Sequence, residues 1–201
     1  MADIKTQDLI DRNLLEQRKI FLWGMVNDES AKHVVDRLLY LNNLNHDEIT
    51  LVINSPGGYV TSGFSIYDTI KQIESPVATV CSGLAASMGS ILLSAGEKGK
   101  RYIQKHARVM IHQPSGGAQG QASNIEIQAR EIIKTKEIGA RILADNCGQD
   151  FDKVMKDFDR DYWMNAEESL TYGIADQIID SNRSGFSIIL EARSLISCIS
   201  S

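Results

Sequence analysis

Ser87 stands where an apolar, β-branched run, VATVCSG, gives way to a helical one, and small residues surround it in Ala85-Ala86-Ser87-Met88-Gly89. A hydroxyl nucleophile needs this setting, because Oγ must project from a sharp strand-to-helix turn whose neighbours add little bulk. The N–H groups that open the following helix then face any negative charge developing beside the turn. A serine at a helix start is also an ordinary cap, so chemistry requires a base. Of the histidines, His33 falls in an amphipathic helical period, His46 in a polar loop and His106 beside Lys105 in a polar turn. His112 closes the apolar run RVMI just before Gln113-Pro114-Ser115-Gly116-Gly117. That is a strand end, where α/β sheets gather their chemistry.

An imidazole base is oriented in turn by a carboxylate. Asp145, Asp150, Asp152, Asp157, Asp159, Asp161, Asp176 and Asp180 all follow His112. Spacing does not choose among them, and Asp161 is slightly favoured for its place at the edge of Tyr162-Trp163-Met164. A second strand-end loop, Asn54-Ser55-Pro56-Gly57-Gly58, carries paired glycines that let backbone approach a ligand and aim N–H groups at an oxyanion. The same pattern also makes a plain tight turn. The sequence contains no GxxxxGK[ST] phosphate loop, no HExxH and no CxxC, which excludes nucleotide or zinc binding in those modes.

The surrounding pattern alternates short β-rich runs with helical periods. Strands are expected at KIFLWG (19–24), ITLVINS (49–55), VATVCSG (77–83), RYIQ, RVMIHQ, Tyr162–Met164 and IADQII. Between them, helices are expected from Glu29 to Leu44, through Phe64, Ile66, Tyr67, Ile70 and Ile73, and over AASMGSILLSAG (85–96). This alternation predicts an α/β fold on a parallel sheet with right-handed crossovers. A further helix opens at a Ser123–Glu126 capping box and stops at Gly148, about 24 residues or roughly 36 Å. It carries two apolar faces, Ile125, Ala129, Ile132, Ile133, Ala140, Leu143 and Ala144 on one and Ile127, Ile138 and Ile142 nearly opposite. Two faces imply two partners, its own domain and another subunit. A short helix (150–158) and one capped by Asn165 with Glu168, ending at Gly173, complete the reading.

The chain has 201 residues, 21 Lys+Arg against 26 Asp+Glu and a formal charge of −5. This describes one globular domain, with a core at about 12–180, a short segment 1–11 and a C-terminal extension 181–201. A mild acidic balance without a basic run argues against nucleic acid or an anionic membrane as partner. Cys81, Cys147 and Cys198 lack metal-ligand spacing and fit a reducing compartment. With no signal-like or membrane-length apolar run, a cytoplasmic location is expected, with no metal and no cofactor.

These stretches together resemble the ClpP family, the proteolytic subunits of the Clp protease. The resemblance rests on INSPGG (53–58), AASMG (85–89), AGEKGKR (95–101), RVMIHQP (108–114) with its following Gly-Gly, QGQASNIEIQAREI, and DRDYWMNAEE to YGIADQI, in the family's order. It implies a serine endopeptidase with Ser87 as nucleophile, His112 as base, Asp161 as orienting acid, and the N–H groups of Gly58 and Met88 as oxyanion hole. It also implies a crotonase-like fold of repeated ββα units. Two stacked seven-membered rings would be joined through a protruding handle formed by Gly116-Gly117 and the long helix. Extended, unfolded substrate would lie along Gly58 and Val60 on one side and Pro114, Ser115, Gly116 and Gly117 on the other. An ATP-driven unfoldase of the ClpX, ClpA or ClpC type is the implied partner, because folded chains cannot adopt that shape.

Asp159 and Arg160 resemble the family's inter-ring ion pair, and with Ile127, Ile138 and Ile142 they are the expected oligomer contacts. Three departures are visible: a short segment ahead of Leu14, Thr50-Leu51-Val52 and Gln72 where docking aromatics are frequent although Tyr102 is kept, and the extension from Ser181. They point to a subunit that pairs with a paralogous ring, the unfoldase docking chiefly on the other. The alternatives are a dormant or structural ring subunit, and a crotonase-type acyl-CoA hydratase. The pairing of Ser87 with His112 argues against the hydratase, which would need cleft carboxylates.

Overall fold

Period-two alternation gives the strands two different faces, and the structure uses both. In β2 (Ile49–Ser55) Leu51 and Ile53 enter the main core, while Val52 points the other way into a small cluster with Val80, Ile179, Phe21 and Tyr102. The computed structural model describes residues 6–117 and 119–179; the expectations for residues 1–5, Asp180, Cys198 and the extension 181–201 lie outside the described residues.

The sheet runs β1 (Lys19–Trp23), β2, β3 (Val77–Ala86), β4 (Arg101–Gln104), β7 (Gln177–Ile179), with every neighbour parallel. β3 is long enough to serve two partners: Thr79–Cys81 pair with β4, and Leu84–Ala86 pair with β5 (Arg108–Ile111). The expected all-parallel sheet needs one correction, because β6 (Tyr162–Met164) adds to β5 antiparallel. Helices α2 (Asp28–Leu44), α3 (Val60–Gln72) and α4 (Met88–Ser94) follow β1, β2 and β3 in turn. Their residues Val34, Leu38, Ile66, Ile70, Leu92 and Leu93 share one core cluster with Ile20, Leu22 and Ile53 of the sheet. The helix expected over 85–96 starts later than its sequence suggests. Ala85 and Ala86 are held in the ladder opposite Val109 and Met110, and the chain turns only at Ser87.

One helix is not among those expected, and another differs at its start. α1 (Thr6–Glu16) is a helix with no buried residue, so its polar sequence carried no stripe to read. α5 (Ala122–Cys147) has 26 residues, and Gly148 closes it in the left-handed conformation. The Ser123–Glu126 box is not formed: Gln121 is the cap residue without a side-chain bond, and Glu126 is taken by Arg130. Only Gly139, Ala140, Leu143, Ala144 and Cys147 of α5 are buried, so its first half stands away from the core. Ile125 and Ile133, expected on the inward stripe, are therefore exposed, whereas Ile142, expected on the outward one, packs partly against the core. α6 (Phe151–Asp157) and α7 (Ala166–Tyr172) follow, the latter opened by the expected Asn165–Glu168 box and closed by Gly173.

An ion pair ties the far edge of the sheet. Asp176 takes Arg101 Nε at 2.8 Å and Nη2 at 2.6 Å and also the N–H groups of Gly99 and Arg101, with side-chain exposures of 3% for Arg101 and 16% for Asp176. Burial by itself would raise the Asp176 carboxyl, but the Arg101 bonds, its charge and the Gly99 N–H outweigh this and hold it below the ordinary value. A depressed carboxylate stabilises the fold at pH above its unfolded value near ~4, and that contribution is lost as pH falls through the folded value. Asp176→Asn strands a buried guanidinium, so urea unfolding at pH 7 is expected to show a loss of about 3–5 kcal/mol. The gap between variant and wild type should narrow below about pH 4; an unchanged gap would show that the pair is not the source.

Candidate active site

Ser87 is held by its backbone. Its N–H donates to Met110 O at 2.8 Å, and its carbonyl accepts Ser90 N–H at 3.0 Å and Ser90 Oγ at 2.6 Å. These bonds impose φ 54 and ψ −122 on a non-glycine residue, a conformation that costs of order 1–3 kcal/mol and persists only where the surroundings over-determine it. Its side chain makes no cap bond to α4, so the hydroxyl is left to the pocket that Ser87 lines.

The Gly57-Gly58 loop lies directly on this turn. A Cβ on Gly57 would come within 2.6 Å of Ser87 Cβ, and one on Gly58 within 2.1 Å of Val26 O, so neither position admits a side chain. Val26 N–H donates to Gly57 O and Tyr59 N–H donates to Val26 O, forming a parallel bridge opposite Gly58. In such a bridge the central residue's own N–H and C=O point to the other side. The N–H groups of Gly58 and Met88 accordingly meet no acceptor among the described residues. Met88 follows Ser87 directly and Gly58 follows the glycine that lies against it, so two unoccupied N–H donors near this turn form a setting suited to an oxyanion.

His112 follows β5 by one residue, and Asp161 precedes β6 by one. The antiparallel register pairs Val109 with Met164, Met110 with Trp163 and Ile111 with Tyr162, so the next pair in line is His112 with Asp161. Their side chains meet, His112 Nδ1 to Asp161 Oδ1 at 2.9 Å. A carboxylate only accepts, so Nδ1 carries the hydrogen and Nε2 is left as the basic nitrogen.

Ser87 and His112 line one pocket together with Val60, Phe64, Met88, Ile91, Pro114, Thr135, Gly139 and Phe158. Val60 and Pro114, expected at the substrate, are in this lining. Ser115, Gly116 and Gly117 are exposed on the loop beyond, with Gly116 close against Ile132 of α5. Sequence reasoning missed Phe64, Ile91, Thr135, Gly139 and Phe158. The signal was present for some of them, since Val60 with Phe64, Ser87 with Ile91 and Thr135 with Gly139 each stand one helical turn apart.

The other candidates fall elsewhere. His33 sits on α2 with burial and Arg37 lowering its pKa, and His46 contacts Glu74 and Asn42. Asp150 caps α6, Asp157 pairs with Lys153 and Tyr172, and Asp176 with Arg101. Asp159 contacts Lys136 and Gln113, while Arg160 is 92% exposed. Ile127 and Ile138 are exposed on α5. Burial pushes the thiols of Cys81 and Cys147 up to about 12, which keeps both protonated and removes them as rival nucleophiles.

Among the described residues no group of His, Cys, Asp and Glu is placed to hold a metal ion, and no helix is long and apolar enough to cross a membrane. A family model described as Clp protease matches residues 2–182.

Proposed function

The chain belongs to the Clp protease family of ClpP-type serine peptidases, and from that premise we propose that Ser87, His112 and Asp161 form its catalytic triad. The observation that carries the reading is the 2.9 Å contact of His112 Nδ1 with Asp161, with Ser87 and His112 lining one pocket. Ser87 Oγ attacks the peptide carbonyl while His112 Nε2 takes its proton. The carbonyl oxygen, now an anion, lies against the Gly58 and Met88 N–H groups. His112 then returns the proton to the leaving amine, and water, activated by the same nitrogen, hydrolyses the acyl-enzyme. The hydratase alternative is disfavoured, because no Asp or Glu lines the pocket beside Ser87.

The substrate is an extended chain added as a strand along Gly58–Val60 and Pro114–Gly117, its P1 side chain in the apolar pocket. Such a strand is available only from unfolded polypeptide, which fits delivery by an ATP-dependent unfoldase into a chamber of two stacked rings, homomeric or shared with a paralogue. The exposed first half of α5, with Ile127, and the exposed Ile138 just beyond it support a ring-to-ring contact there.

Gly139 tests the pocket assignment, since a Cβ there would meet the Phe158 ring at 3.4 Å, an ordinary contact that fills space without a clash. Gly139→Ala is expected to lower kcat/KM for peptides with Leu or Phe at P1 about tenfold relative to Ala at P1, the size of effect one methyl produces in an apolar pocket. An unchanged P1 profile would place P1 elsewhere. The function itself is tested by incubating purified protein with a fluorophosphonate probe and reading intact mass and particle size together. One label per chain, absent in Ser87→Ala, supports an aligned serine peptidase. No label in a ring-sized particle would move the reading to a subunit that is structural or needs a paralogous ring.

A further inference from the structure

The contact between His112 and Asp161 is bracketed on both sides, and the outer bracket is not part of the sheet. On the inner side the β5–β6 ladder ends at Ile111 and Tyr162. On the outer side Gln113 takes over: its N–H donates to Phe158 O at 2.6 Å, and its side-chain Nε2 donates to Asp159 O at 2.8 Å with a longer contact to Asp159 Oδ1 at 3.4 Å. Asp159 is in turn approached by Lys136 Nζ of α5 at 3.4 Å, a lysine whose side chain is only 20% exposed. We propose that Gln113, seconded by Lys136 through Asp159, is a positioning residue that keeps His112 and Asp161 at bonding distance. This rests on the triad reading above.

β6 has three residues and is a sheet edge, so its ladder by itself holds the α6–β6 turn weakly. Asp161 lies outside that ladder and is exposed, with no other hydrogen-bond partner among the described residues than His112. The carboxylate therefore stays in reach of Nδ1 only if the backbone of 158–161 keeps its distance from residue 112. Gln113 supplies this directly, being adjacent to His112 and bonded to the two residues that precede Arg160. Lys136 adds a restraint from α5, the same helix that lends Thr135 and Gly139 to the pocket, so the base of the long helix and the imidazole share one anchor at Asp159. A shift of about 1 Å in such a constellation can cost on the order of a hundredfold in rate.

The test is steady-state hydrolysis of a short apolar peptide by the assembled protein, with particle size checked for every variant. Gln113→Ala is expected to lower kcat about thirtyfold while KM stays within twofold, because the lost bonds touch the imidazole's neighbour and not the substrate. Gln113→Met, which keeps the volume and removes only the side-chain donors, should show the same split and serves if alanine loosens the fold. Lys136→Met should lower kcat about fivefold, Lys136→Arg should restore it to within twofold, and Gln113→Ala with Lys136→Met should be little worse than Gln113→Ala alone, since both act through Asp159. An unchanged kcat in Gln113→Met, a loss confined to KM, or failure of Lys136→Arg to restore the rate overturns the inference. Absence of fluorophosphonate labelling in the wild type moves the chain instead to the structural or ring-dependent subunit named above, and overturns the inference with it.

Discussion

Ser87→Ala is expected to lower kcat for a short apolar peptide by about a millionfold, the scale lost when a serine nucleophile is removed from an assembled triad, with KM nearly unchanged. The fold should hardly notice. The bonds that fix the turn come from the backbone, Ser87 N–H to Met110 O and Ser90 N–H to Ser87 O, and alanine keeps them. Alanine at φ 54 also bears the strain that serine bears, so the particle and its unfolding curve should match the wild type while activity is gone. Ser87→Gly separates the two contributions. It is equally inactive, but glycine adopts positive φ freely, and release of the strain should leave it about 1 kcal/mol more stable than Ser87→Ala. Equal stability of the two variants would mean that the turn is not strained, and peptide hydrolysis surviving in either would mean that Ser87 is not the nucleophile.

Much of this site was legible in the chain because each signal is local. A β-branched run, a small-residue turn and an apolar run announce that Ser87 ends a strand, and the loop after RVMI announces the same of His112. Two adjacent glycines announce backbone approach, which the structure makes specific: Gly57 against Ser87, Gly58 against Val26. The choice of acid was not legible. Asp161 is brought to His112, 49 residues away in sequence, by the antiparallel register of the strands they flank, and no local pattern carries that register. Asp159, two residues away in the same acidic run, differs only by its distance from that strand edge and faces Lys136 instead. The long helix departs from its stripe for a related reason. A periodic stripe tells which residues share a face, but not where along the helix the core ends, so Ile125 and Ile133 share a stripe with Leu143 although only the last third of α5 has a core to meet. The start of α4 is not legible either, because Ala85 and Ala86 suit a helix as well as a buried strand, and pairing with β5 decides between them.

Asp161→Asn is expected to lower kcat about 10,000-fold at neutral pH, with KM within a factor of two and particle size unchanged. The carboxylate has two separable effects. One is the attraction between Asp161 and the imidazolium formed in the transition state. The Asp161 side chain is 60% exposed, and unit charges about 4 Å apart in a water-like medium attract by only about 1 kcal/mol, less than a factor of ten. The other is the choice of tautomer. A carboxylate accepts the Nδ1 hydrogen and so leaves Nε2 unprotonated toward Ser87, whereas an amide can turn its NH2 group to Nδ1 and place the hydrogen on Nε2. The base is then lost although the geometry is kept, which is the behaviour of serine-protease triads when this residue becomes asparagine. A loss of 10,000-fold corresponds to about 5.5 kcal/mol, far more than a screened ion pair supplies, so the tautomer must carry most of it. Asp161→Ala discriminates further: it removes the wrong donor as well as the right acceptor, and should be less damaging than Asp161→Asn. Asp159→Asn is the companion measurement, and because the Asp159 backbone carbonyl that takes Gln113 Nε2 is retained in the variant, its loss should stay within about tenfold. If Asp159→Asn proved as severe as Asp161→Asn, the carboxylate that orients His112 in the working assembly would be the neighbour, and the 2.9 Å contact would belong to a resting arrangement.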